Sequence, residues 1–103
     1  MERYRLLYHP YVVERDIPKL DSSVRRQIRT EIEAKLIEHP EAAAKPLAHT
    51  TQRLWSLRVG DWRVIFALRD EEIWILRIGH RRDVYRRGEY PKPPDESSVH
   101  ELE

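Results

Sequence analysis

Residues Arg53 to Tyr85 read RLWSLRVGDWRVIFALRDEEIWILRIGHRRDVY. Runs rich in Val, Ile, Trp and Phe alternate with polar residues and are broken at Gly60-Asp61 and at Asp70-Glu71-Glu72, which predicts three strands joined by two hairpin turns. Successive side chains of a strand point to opposite faces of its sheet. Trp55, Leu57 and Val59 therefore oppose Ser56 and Arg58. In the second strand Trp62, Val64, Phe66 and Leu68 oppose Arg63, Ile65, Ala67 and Arg69. In the third, Trp74, Leu76 and Ile78 oppose Ile73, Ile75, Arg77 and Gly79. A large apolar side chain left in water forgoes about 1.5–3 kcal/mol, so the larger apolar sets are expected to face the core. Arg58, Arg63 and Arg77 then share the other face, above an apolar floor of Ile65, Ala67, Ile73 and Ile75. Past this face the chain continues through His80, Arg81, Arg82, Asp83, Val84 and Tyr85.

Upstream, residues 3 to 8 have the aromatic and aliphatic content of a strand that His9-Pro10 ends. Pro10 suits a first helical position, so Tyr11 to Ile17 is expected as a short helix stopped before Pro18. Asp21 or Ser22 can cap the next helix, in which Val24, Ile28, Ile32 and Leu36 recur every four residues. That helix ends before His39-Pro40, and Glu41 to Lys45 is expected as a single helical turn in a connecting loop. The expected whole is a two-layer α+β fold, with an N-terminal strand and helical hairpin on one face of a mainly antiparallel four-stranded sheet. Val24, Ile28, Ile32 and Leu36 should pack on the side of Trp55, Phe66 and Trp74, leaving the arginine side uncovered. Residues 1–85 read as one domain, and residues 86–103, rich in proline and charge, as a flexible tail.

The chain has 103 residues and a formal net charge of +1, so bulk charge does not select a partner. Its distribution does. From Arg53 to Arg87 there are nine arginines and no lysine against five acids, the footprint of a surface that receives phosphates. The absence of cysteine excludes disulfides and cysteine zinc sites and fits a reducing cytoplasm. No apolar run approaches the roughly 20 residues of a membrane span. The acids are too scattered to argue for a metal site, so neither metal nor cofactor is expected.

Clustered guanidiniums repel one another and are tolerated when solvated or when an anion is shared among them. Arginine binds phosphate through two parallel hydrogen bonds and keeps its charge, which suits transition-state stabilisation better than proton transfer. A phenol among cations is a better proton acceptor than a free one, and imidazole titrates near neutrality. These groups fit metal-free RNA cleavage. A base takes the 2′-OH proton, the oxygen attacks the adjacent phosphate, arginines stabilise the added charge, and an acid protonates the leaving 5′-oxygen. Plainer roles stand beside each. Arg58 and Arg63 also keep a sheet face soluble, His80 is also a polar strand-end residue, Tyr85 also packs its ring on a sheet edge, and Arg81-Arg82 is a short charge run.

The segments Leu54 to Phe66 and Ile78 to Tyr85, an aromatic-Arg hairpin followed by a Gly-x-Arg-x-x-x-Tyr ending, resemble the RelE/ParE superfamily of toxins from toxin–antitoxin pairs. The likeness extends more weakly over Tyr4 to Leu36. It implies a RelE-like fold, a cognate antitoxin that covers the basic surface and, in the RelE branch, metal-independent cleavage of mRNA on the ribosome. By the same likeness, Arg58, Arg63, Arg81 and Tyr85 would be catalytic; from their places on or beside the basic face, Ser56, Arg77, His80 and Arg82 are expected to bind RNA or support them. Ser56 stands where RelE-type enzymes place a lysine, and a proline-rich tail replaces the family's C-terminal helix. The alternative within the superfamily is a ParE-like gyrase inhibitor, or a toxin acting mainly through antitoxin binding.

Overall fold

The computed structural model describes residues 3–48, 52–86 and 90–93. Strand β1 (Arg5–Tyr8) leads into a π-helical segment (Val12–Asp16) and a 3-10 turn (Ile17–Lys19), followed by helix α1 (Ser22–Lys35) and the short α2 (Pro40–Ala43). Strands β2 (Lys45–Pro46), β3 (Leu54–Val59), β4 (Trp62–Arg69) and β5 (Glu72–His80) complete the fold. The sheet order is β1-β5-β4-β3-β2. β1 runs parallel to β5, and the other pairings are antiparallel. The expected two-layer α+β arrangement is present, with two differences. The sheet has five strands instead of four, because Lys45–Pro46 pairs with Trp55 and Ser56 at the β3 edge. The first arm of the expected helical hairpin is a π-helical segment that runs into a 3-10 turn through Pro18.

Local chemistry accounts for the boundaries. Asp21 caps α1, its carboxylate accepting from the Val24 amide at 2.9 Å and from the Ser23 hydroxyl at 2.8 Å. Both bonds stabilise its charged form, the amide bond more, and hold the carboxyl below its usual pKa. The β3–β4 hairpin turns on Gly60 and Asp61, with Gly60 at φ +60°, a conformation open to glycine at no steric cost. At the β4–β5 turn, Asp70 takes φ 56°, which Asp tolerates better than most residues.

The principal core lies between α1 and the sheet. Ile28, Ile32 and Leu36 pack with Val12, Leu57, Val59, Val64, Phe66, Ile73, Ile75 and Ile78. Trp74 and Leu76 are not among them. They are buried on the opposite face with Leu54, Ile65, Ala67 and Val84. The cause is a β-bulge: Phe66 pairs with Ile75 and Ile65 with Arg77, so Leu76 is an extra residue and side-chain parity changes across it. The expected placement of Trp74 against α1 is thus corrected, as is the floor assigned to Ile73 and Ile75. Trp74 instead donates its indole N–H to Glu72 at 3.0 Å.

The second face is also less open than the alternation implies. Leu7, Leu47 and Tyr90 pack on its apolar part, leaving polar surface at the Gly60 end. The proposed tail falls largely outside the described residues, but Tyr90 lies within them.

Candidate functional site

Arg58 and Arg63 are direct cross-strand partners beside the β3–β4 turn. Like charges so placed repel, and the two side chains resolve this differently. Arg63 Nη1 folds back to donate to the Gly60 and Trp62 carbonyls, each at 2.8 Å. Arg58 is exposed, and its guanidinium has no ion pair or hydrogen bond among the described residues.

The chain then turns back over this face. The amides of Asp83 and Val84 both donate to the His80 carbonyl at 2.9 Å. Val84, fully buried, sits against Gly79, where a Cβ would lie only 3.3 Å from Val84 Cβ. Gly79 is thus small because another residue occupies the space above it. The return carries Tyr85 to Ser56, with which it shares a 2.8 Å hydrogen bond in which either hydroxyl can donate. Tyr85 remains 40% exposed. Arg81 is tied to the hairpin turn by its amide, which donates to the Asp61 carbonyl at 2.8 Å, and by an ion pair from Nε to the Asp61 carboxylate at 3.6 Å.

Ser56, Arg58 and Arg63 therefore share one face, Tyr85 is joined to them through Ser56, and Arg81 approaches through the turn. Arg77 lies farther along the same face, opposite Ile65, close enough to Asp16 and Tyr90 to lower the pKa of both against the larger upward effect of burial. His80 departs from this grouping. It pairs with Trp62 and meets that indole edge-on at 5.5 Å, which puts it on the α1 side of the sheet end. Its Nδ1 accepts the Arg82 amide at 3.2 Å, a contact that shapes the return turn. Arg82 itself is exposed.

Two contacts around this site are not legible in the sequence. Asp61 holds Arg81, although its place in a tight hairpin marked it only as a turn residue. Tyr90 donates to the Val84 carbonyl at 3.1 Å, and no periodic signal distinguishes it within a proline-rich segment. A cleft of 610 Å³ lined by Glu41, Leu47, Gln52, Arg53 and Trp55 opens at the far end of β3. That cleft includes none of Ser56, Arg58, Arg63, Arg81 and Tyr85. Among the described residues, no three His, Asp or Glu side chains converge as metal ligands, and no helix is long and apolar enough to cross a membrane.

Fold and site define a small α+β protein with a basic, phenol-bearing end to its sheet. A family model described as the ParE toxin of the type II toxin–antitoxin system parDE matches residues 7–85. Two Mycobacterium tuberculosis proteins are similar in sequence. Toxin RelG is 31% identical over 86 residues, spanning 76% of this chain and 99% of the relative. Toxin RelE is 30% identical over 86 residues, spanning 76% of this chain and 89% of the relative. Among solved structures, a chain of the M. tuberculosis RelBE2 toxin–antitoxin complex superposes with a TM-score of 0.71 at 27% identity, covering 81% of this chain and 97% of that one. An arginine-to-alanine double mutant of E. coli toxin RelE in the free state shares the fold, with a TM-score of 0.60 at 21% identity over 80% of this chain and 87% of that one. The chain belongs to the RelE/ParE superfamily of type II toxins.

Proposed function

We propose that this toxin is a ribosome-dependent mRNA endonuclease that arrests translation by metal-independent phosphodiester cleavage. The observation that carries the reading is the 2.8 Å Ser56–Tyr85 hydrogen bond on the face that holds Arg58 and Arg63. Tyr85 is the proton-transfer group. The Ser56 hydrogen bond holds the phenol oxygen in place over the arginine face, where it can reach the 2′-OH of a bound ribose. Arg58, exposed and unpaired among the described residues, is available to a phosphate, and Arg63 and Arg81 add charge around the turn. Arg77 and Arg82 extend the field to neighbouring phosphates, and His80 acts indirectly by fixing the return turn. The names of the RelE and RelG relatives favour this branch. By analogy with the RelBE2 complex, a cognate antitoxin covers the basic face and silences it, and the protein works in the cytoplasm, where ribosomes are.

Arg81→Ala and Tyr85→Phe are each expected to lift growth arrest and abolish codon-phased cleavage of translated mRNA while the circular dichroism stays unchanged. Undiminished toxicity and cleavage in both variants would falsify the proposal. A second reading is favoured by the family model, whose description is that of a ParE toxin. In that case the same face binds gyrase. Brief induction then produces DNA damage without phased mRNA ends, and RNA end mapping separates the two readings.

A further inference from the structure

Tyr85 reaches Ser56 from a return segment whose height above the sheet depends on Val84. That residue is seated over the bare Gly79 and is held from below by its amide on the His80 carbonyl. Its own carbonyl points the other way and accepts from the Tyr90 hydroxyl at 3.1 Å. Tyr90 is held in turn at its main chain, where its carbonyl accepts from Gln52 Nε2 at 3.5 Å. Its ring packs on the second apolar cluster, which includes Leu54, Trp74 and Val84. One residue thus ties the approach to β3 through its main chain, and the second face of the sheet and the residue preceding Tyr85 through its side chain. Tyr90 also lies beyond residues 7–85, the stretch that matches the family.

We propose that Tyr90 is a positioning residue for Tyr85, its hydroxyl fixing the Val84 peptide so that the Tyr85 phenol stands over Ser56 and the arginine row. The inference rests on the RNA-cleaving reading for its kinetic consequence, though not for its structural one. Tyr90 is suited to the task because burial raises its pKa, with the Tyr85 phenol adding to the effect and Arg77 opposing it. The hydroxyl therefore remains a donor across the neutral range. The Val84 carbonyl accepts only while that proton is present.

The test uses the purified full-length chain as wild type, Tyr90→Phe, Tyr90→Ala and Leu47→Ala. The last removes packing from the same cluster without touching the Val84 carbonyl. Two quantities are read: amide exchange at Asp83 and Val84, and RNA cleavage on translating ribosomes. Tyr90→Phe is expected to speed exchange at both amides and to lower kcat about three- to tenfold with KM unchanged, the effect of one lost hydrogen bond acting on geometry. Tyr90→Ala should do more, and Leu47→Ala should lower Tm while leaving kcat in place. Wild-type kcat in Tyr90→Phe, an equal loss in Leu47→Ala, or a gain of activity in Tyr90→Ala (the mark of a lid) overturns the inference. If the wild-type chain cleaves no RNA, the nuclease reading falls alone. The exchange rates then decide the positioning role, faster exchange in Tyr90→Phe supporting it and unchanged exchange refuting it.

Discussion

Ser56 has the length to hold the Tyr85 phenol at 2.8 Å. Ser56→Ala should therefore reduce cleavage about three- to tenfold, the consequence of one hydrogen bond. Urea denaturation should register almost no change, because the exposed Tyr85 hydroxyl is solvated once its partner is gone. A second residue-scale test concerns Asp70, whose φ of 56° is costly for a β-branched side chain. Asp70→Val is expected to lower stability by about 1–2 kcal/mol, whereas Asp70→Gly should stay close to wild type. Legibility differed sharply among single residues. Arg58, Arg63 and Ser56 share one face as their alternation predicts, because clean alternation leaves a single choice. Sequence proximity groups His80 with the arginines, yet it pairs with Trp62, and a strand's last residue obeys register before neighbourhood.

The elements themselves were readable where periodicity was unambiguous. Helix α1 follows from four-residue spacing and an Asp21 cap, and the two hairpins follow from Gly60-Asp61 and Asp70-Glu71. β5 misled because Ile73 to Leu76 is an unbroken apolar run, which supports either parity, and a bulge inside it leaves no mark in composition. The bulge has a structural counterpart at the sheet edge. β1 pairs with β5 only as far as Ile75, and beyond it the Ile78 amide donates to Asp16 Oδ2 at 2.9 Å. A carboxylate from the π-helical segment thus closes an edge that would otherwise be open to another strand. Burial raises the Asp16 pKa despite that hydrogen bond and the charges of Arg77, Lys19 and Arg15. A carboxyl with a raised folded pKa contributes stability that is complete below its unfolded pKa and is lost as pH rises through the folded value. Asp16→Asn retains an acceptor without the charge, so its stability relative to wild type should improve as pH rises from about 4 toward 7. Asp16→Ala should cost about 1–3 kcal/mol at neutral pH by leaving the Ile78 amide unpaired. Urea melts at the two pH values check both.

For the molecule as a whole, the small net charge conceals a polarised surface. Guanidiniums from β3, β4 and the return turn meet at one end of the sheet. If that end binds RNA, affinity should fall with salt, with a log–log slope near −0.7 per phosphate contact on single strands. Arg58→Gln should make the slope shallower by about that amount and weaken binding to all sequences alike, as filter binding at several salt concentrations would show. This polarity was visible in the spacing of arginines. The covering of the apolar part of the same face was not, because Tyr90 sits among prolines in a segment whose composition suggests no packing at all. Side-chain alternation reports which way a strand faces, but it does not report what a distant part of the chain will lay upon it.

The parallel pairing of β1 with β5 joins Arg5–Tyr8 to Glu72–Ile75, nearly the first and last strands to leave the ribosome that makes them. While the nascent polypeptide stops short of β5, its opening strand has no neighbour, and the seat for Val84 does not exist. Core and basic surface are therefore completed in one late, long-range event, and a product terminated before β5 lacks both the partner of its first strand and the return that carries Tyr85.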